Sequence, residues 1–203
     1  DAALAYLEAN VGGYMGADAG ATYAGPTAKA LLAVVAHGGD PTSFGGLDLV
    51  ATLEATEGAV QPGRFSDLPL DCGYDPCDYS NTIGQSLAVI ALERAGRTVS
   101  AEAVTFLLAQ QCADGGFRGD PSATGCTSDA DATAFAAQAL LAVGADTEAA
   151  AALDHLAAAQ AASGGVAGDG APVNANTTGV AVQAHCGGFL GQHGTDTGNI
   201  LAD

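Results

Sequence analysis

The sequence predicts an all-α protein built as a tandem array of helical hairpins. Three observations carry that expectation. One Ala/Leu/Val-rich segment recurs along the chain, a second, amphipathic segment alternates with it, and Gly/Pro/Asp-rich loops separate the two.

The recurring segment is clearest at 129–144, DADATAFAAQALLAVG. NTIGQSLAVIALERAG (81–96) aligns with it, placing Asn81 on Asp129, Gln85 on Thr133 and Gly96 on Gly144. A third copy, NANTTGVAVQAHCGG (174–188), places Asn174 on Asp129 and Thr178 on Thr133. AGPTAKALLAVVAHGG (24–39) is a looser fourth, with Thr27 on Thr133 and Gly38 on Gly144. Gln85, Thr133 and Thr178 follow at steps of 48 and 45 residues, and Thr27 precedes Gln85 by 58. Each copy has a polar start, an apolar run and a glycine stop, the pattern of an N-capped helix with a C′ glycine. Asn81, Asp129 and Asn174 are the expected N-caps. The run is apolar nearly all round, which suits a helix covered on both sides.

The alternating segments are DAALAYLEAN (1–10), FGGLDLVATLEATEG (44–58), SAEAVTFLLAQQ (100–111) and DTEAAAALDHLAAAQ (146–160). Their apolar residues fall at i, i+3, i+4 and i+7, so each is expected to bury one face. The hairpins are predicted at about 1–39, 44–97, 100–144 and 146–188, within a single domain 1–203 that ends in a tail at 189–203. Long loops are expected at 59–80 and 112–128.

With 203 residues the chain is long enough to bury a core. Five Lys and Arg stand against 23 Asp and Glu, a net charge of −18. Nucleic acid and anionic lipid need basic surface, so both are disfavoured as partners. The acids are scattered, which reads as a solvated surface, with specific cation sites as the other reading. No run of about 18 apolar residues exists to span a membrane. The opening residues lack a basic stretch followed by an apolar one, so a secretory leader is expected to be absent or already removed.

Cys72 and Cys77 sit in the loop DCGYDPCDYS, and Cys112 and Cys126 bracket the loop ADGGFRGDPSATG. Two short-range disulfides, Cys72–Cys77 and Cys112–Cys126, are expected, and with them an extracellular or cell-surface location. The spacings lack the paired C-x2-C of structural zinc sites. Cys186, at the end of an apolar helix, is expected to be a buried thiol.

AQQCADGGF (109–117) and AQAASGGV (159–166) each follow an amphipathic helix and precede a polar, Thr/Ala-rich one. This order resembles the prenyltransferase/squalene-oxidase repeat, over about residues 40–185. The resemblance implies an α/α toroid, an inner ring of helices within an outer one. About four hairpins would make an incomplete ring. The family includes enzymes and non-enzymes, so function rests on sites.

Similarity to class II terpene cyclases implies a D-x-D-D-T-A motif whose central Asp protonates an alkene or epoxide. DADATA (129–134) matches it at Asp129, Asp131, Thr133 and Ala134, with Ala132 in place of the fourth acid. Asp131 is then the candidate general acid, without the flanking carboxylate of the motif, and Asp129 is a second candidate catalytic residue. The competing reading is a helix start with Asp129 as cap, and it is favoured by the want of aromatic residues to stabilise a carbocation: the chain has no Trp, and Phe117 stands where the cyclase repeat carries Trp. A prenyltransferase zinc site would fall on His185, Cys186 and His193. Adjacent helical residues diverge, however, and only Lys29, Arg64, Arg94, Arg97 and Arg118 could meet a diphosphate. The loop 66–81 gathers Asp67, Asp71, Asp75 and Asp78, of which Asp71, Asp75 and Asp78 are candidate calcium ligands. No other cofactor is expected, and His37 and His155 call for no functional explanation.

The favoured expectation is a secreted or cell-surface repeat domain for binding or self-assembly without catalysis. A terpene-cyclase-like enzyme using Asp131, and a carrier of a small apolar or corrinoid-like ligand, are the alternatives. Terminal repeats expose an apolar side, so the chain is expected to be part of a longer one or to self-associate through its open ends.

Overall fold

The structure is a computed structural model, and it describes residues 2–71, 73, 77–168 and 170–187. They are helical, with no strand among the described residues beyond isolated bridge pairs. Two compact units divide between Phe106 and Leu107.

The first unit holds α1 (Ala2–Met15), a 3-10 turn (Ala17–Ala19), α2 (Ala24–Ala36), α3 (Leu49–Glu54), α4 (Thr82–Arg94) and most of α5 (Ala101–Leu108). Helix α2 is its hub and packs on α1, α3 and α4. The second unit holds α6 (Ala130–Ala142), α7 (Asp146–Ala158) and α8 (Ala175–His185), with α6 packed on both others.

The predicted contrast between helix types is present. In α4, Gln85 through Leu92 are all buried, and in α6 so are Ala132–Ala134 and Ala136–Leu140. Helix α7 buries only Ala149, Ala152 and Leu156, one stripe at i, i+3 and i+7. The stops are glycines: Gly38, Gly96 and Gly144 follow α2, α4 and α6 with φ of 70°, 70° and 74°, a region in which a Cβ is disfavoured.

Two elements differ from expectation. Helix α1 runs past residue 10 through Gly12 and Gly13 to Met15, because Val11 and Met15 lie one turn apart and are both buried. That burial outweighs a helix cost of about 1 kcal/mol per glycine. Helix α3 is much shorter than 44–58. Gly45 and Gly46 take φ of 59° and 79° in a turn closed by Phe44 and Leu47, so the helix starts only where Asp48 caps the Ala51 N–H at 2.9 Å.

What repeats most faithfully is a hydrogen bond, buried or partly buried, between a loop and the helix that follows it. The Phe65 N–H donates to Gln85 Oε1 at 3.0 Å, the Phe117 N–H to Thr133 Oγ1 at 2.8 Å, and the Val166 N–H to Thr178 Oγ1 at 2.9 Å. Glutamine closes the turn before two of these residues. Gln111 Nε2 donates to the Gly115 carbonyl at 3.0 Å and Gln160 Nε2 to the Gly164 carbonyl at 2.7 Å. Gly115 has φ 87°, and a Cβ there would stand 2.6 Å from the Ala151 carbonyl oxygen, so the turn backs directly onto α7. The Gln, Gly-Gly and Thr positions are therefore parts of one device in the loops before α6 and α8; before α4 the Phe65–Gln85 bond stands in its place, and the aligned Thr27 donates to the Tyr23 carbonyl at its own helix start.

Candidate functional site

The three predicted caps accept backbone N–H groups: Asn81 from Gly84 at 2.9 Å, Asp129 from Ala132 at 2.6 Å and Asn174 from Thr177 at 3.0 Å. Asp131 lies in the first turn of α6, half-buried. Its carboxylate comes near Gly168, where a Cβ would meet Oδ2 at 3.7 Å. The cavity beside this helix start, about 280 Å³, is lined by Arg118, Asp120, Thr127 and Asp129 and not by Asp131. The loop over it is held by the Cys112–Cys126 disulfide and by Arg118, which donates to Gln110 Oε1 at 3.0 Å and to the Ala123 carbonyl at 3.1 Å.

Next to this loop, Asp114, Ser128 and His155 meet. The Ser128 hydroxyl donates to Asp114 Oδ1 at 2.7 Å, and His155 Nδ1 lies 3.6 Å from Asp114 Oδ2. The Ser128 hydroxyl foremost, with the Gly116 N–H and His155, holds the Asp114 carboxyl below its ordinary value. Serine here donates to the carboxylate, and the contact ties the two ends of the loop between α5 and α6 together.

The acidic loop of the first unit is a brace as well. Asp71 is exposed and, among the described residues, accepts from the Gly73 N–H at 3.3 Å. Asp78 turns inward. It accepts from the Asp67 and Ser80 N–H groups, each at 3.0 Å, and pairs with the Arg64 guanidinium at 3.1 Å. Burial pushes its carboxyl up, but those N–H groups, the Ser80 hydroxyl and Arg64 together hold it below its ordinary value. Asp75 and Cys72 lie outside the described residues, and with them the third candidate calcium ligand and the Cys72–Cys77 pairing. Among the described residues no three His, Cys, Asp or Glu side chains converge to hold a metal.

Among the described residues His185 and Cys186 belong to no metal-holding group. Burial chiefly pulls the His185 imidazole below its ordinary value. Cys186 is exposed, contrary to the buried thiol expected. Helix α8 buries Thr177, Ala181 and Ala184, and a residue two positions beyond Ala184 is turned to the opposite side. His193 lies outside the described residues.

A concavity in the first unit was not foreseen. It measures about 480 Å³ and lies where the amino ends of α2 and α4 meet. A Cβ on Gly25 would stand 3.8 Å from the Gly84 Cα, so glycine on each helix permits that approach. Pro26, Leu68, Pro69, Ile83 and Leu87 make apolar walls; Lys29, Ser80 and Asn81 supply polar groups. Tyr23 and Tyr79 line it while staying 38% and 60% exposed. All five tyrosines of the sequence, Tyr6, Tyr14, Tyr23, Tyr74 and Tyr79, precede residue 80.

Asp67 sits at the base, only 7% exposed. Its Oδ1 accepts the Ala24 N–H at 2.8 Å and its Oδ2 the Tyr79 N–H at 3.2 Å. Tyr23, the residue before α2, makes no side-chain cap, so Asp67 caps that helix from a distant loop. Thr22 and Leu68 exchange backbone hydrogen bonds of 2.8 Å and hold the loop in register. Burial, more than any other influence, raises the Asp67 carboxyl above its ordinary value.

Comparison with protein-family models, with curated proteins and with solved structures gives no match. Fold and function therefore rest on this chain's own geometry. Among the described residues no helix is long and apolar enough to cross a membrane.

Proposed function

We propose that this chain is a secreted or cell-surface α/α repeat domain that binds a small molecule in the cleft between α2 and α4 and carries out no catalysis. The observation that carries this reading is the cleft itself. Its volume of about 480 Å³ suits a small ligand, its walls are mainly apolar, and two tyrosines are left exposed at it. A tyrosine offers a large apolar ring with a polar tip, and such rings are over-represented where ligands and partners dock.

The acids foreseen for chemistry have backbone partners in this reading: Asp129 caps α6, and Asp78 steadies the loop after Phe65. The recurring Gln, Gly-Gly and Thr device supports kinship with the prenyltransferase/squalene-oxidase repeat, and with it an arc of hairpins of the α/α toroid kind. The Cys112–Cys126 disulfide supports an oxidising compartment.

A thermal-shift screen of small aromatic and aliphatic compounds tests the binding function. Hits that raise the melting temperature of the wild type, and lose their effect in a Tyr23→Ala/Tyr79→Ala variant, are expected. No hit, or hits indifferent to both tyrosines, would sink the proposal. Incubation with squalene or geranylgeranyl diphosphate tests the absence of catalysis. A product formed by the wild type and not by Asp131→Asn would replace this reading with a cyclase.

A further inference from the structure

We infer that the cleft between α2 and α4 selects an organic anion: a flat apolar body carrying one carboxylate or a similar charged group. This rests on the binding function proposed above and adds the ligand's charge and shape.

The argument begins with Lys29. The chain has only five Lys and Arg among 23 Asp and Glu, so a cation has abundant acids to pair with. Arg64 pairs with Asp78 and Arg97 with Glu54, and Arg118 is engaged by Gln110 and the loop carbonyls; Arg94, whose buried Nε has no hydrogen-bond partner among the described residues, sits in the last turn of α4 and not on the cleft lining. Lys29 makes no ion pair or hydrogen bond among the described residues, and its side chain lines the cleft. In the repeat alignment it stands where α4 has Leu87, so the repeat itself does not call for a charge at this position.

The only carboxyl group on the described lining does not cancel that charge. Asp67 is buried and both its oxygens accept backbone N–H groups, so it faces the α2 start and the loop. Lys29 is exposed and Asp67 is buried, so a ligand entering the cleft meets the ammonium before the carboxylate, although the chain as a whole is strongly acidic. Tyr23, Tyr79 and the proline and leucine walls favour a planar apolar body alongside the charged group.

The matched pair 2-naphthoate and 2-naphthamide tests this, because the two differ in charge and hardly in shape. By isothermal titration calorimetry at neutral pH, wild type is expected to bind 2-naphthoate about tenfold more tightly than the amide, the size of a single favourable charge contact of about 1.4 kcal/mol. Lys29→Gln is expected to erase that preference, so that the variant binds acid and amide with equal affinity. Tyr79→Ala is expected to weaken both, and circular dichroism checks that each variant is folded. Equal binding of acid and amide, or a preference that survives Lys29→Gln, overturns the anion selectivity and leaves the binding cleft standing. Failure of folded wild type to bind either compound, together with an empty thermal-shift screen, overturns both.

Discussion

The Thr133 hydroxyl accepts the N–H of Phe117 at 2.8 Å, and both residues are fully buried. That one contact joins the loop after α5 to the start of α6. The same hydroxyl donates to the Asp129 carbonyl, so it is saturated on both sides. Thr133→Val keeps the shape and removes the partner, leaving a buried N–H unsatisfied. A loss of about 1–3 kcal/mol is expected in urea titration. A change below about 0.5 kcal/mol, the size of a neutral surface substitution, would show that the repeat does not depend on this bond.

Asp129 and Asp131 stand two residues apart at the start of α6 but are unequal in role. Asp129→Ala removes an oxygen from the Ala132 N–H and should cost about 1 kcal/mol. Asp131→Asn should stay within about 0.5 kcal/mol, since the cap does not involve it. Equal losses from the two substitutions would mean that Asp131 also carries structure.

Asp67 and Asp78 should tilt the acid dependence of stability in opposite directions. Asp78 is held below the ordinary value of 3.8, so its contribution is present above that value and is lost as pH falls through the lower, folded value. Asp67 is held above 3.8, so the folded state favours its protonated form, and its ionisation costs stability as pH rises through the raised value. The stability gap between wild type and Asp78→Asn should therefore close on acidification below about pH 4, the ordinary carboxylate range. For Asp67→Asn, wild type should gain relative to the variant over the acid range. Denaturant titrations at several pH values read both slopes, and parallel slopes would contradict the opposed environments.

The Cys112–Cys126 disulfide closes a loop of 14-residue separation over the start of α6. A loop of that length restricts the unfolded chain by about 3 kcal/mol. Cys112→Ser/Cys126→Ser should lower the stability of the second unit by roughly 2–4 kcal/mol, as would reduction with dithiothreitol. Hydrogen exchange would place the loss in α6–α8. An unchanged exchange pattern there would show that Arg118 alone holds the loop.

The helices were legible because their signals are local. A polar cap, an apolar run and a glycine stop lie within 16 residues, as at Asp129 to Gly144. The threonine and glutamine register could also be read, since spacing alone reveals it. The α2 cap could not, because Asp67 lies 43 residues beyond the Ala24 N–H it serves. The cleft stayed hidden for the same reason: Tyr23, Lys29 and Tyr79 share no spacing, and only the Gly25–Gly84 approach brings their segments together. Local pattern also misjudged Cys186, whose exposure depends on which face of α8 is covered.

The placement of the tyrosines has a practical consequence. With no tryptophan in the sequence and every tyrosine ahead of residue 80, tyrosine emission reports on the first unit and is silent about the second. Helical ellipticity reports on both. Recording the two signals through one melt would separate the unfolding of the halves without any label or engineered probe.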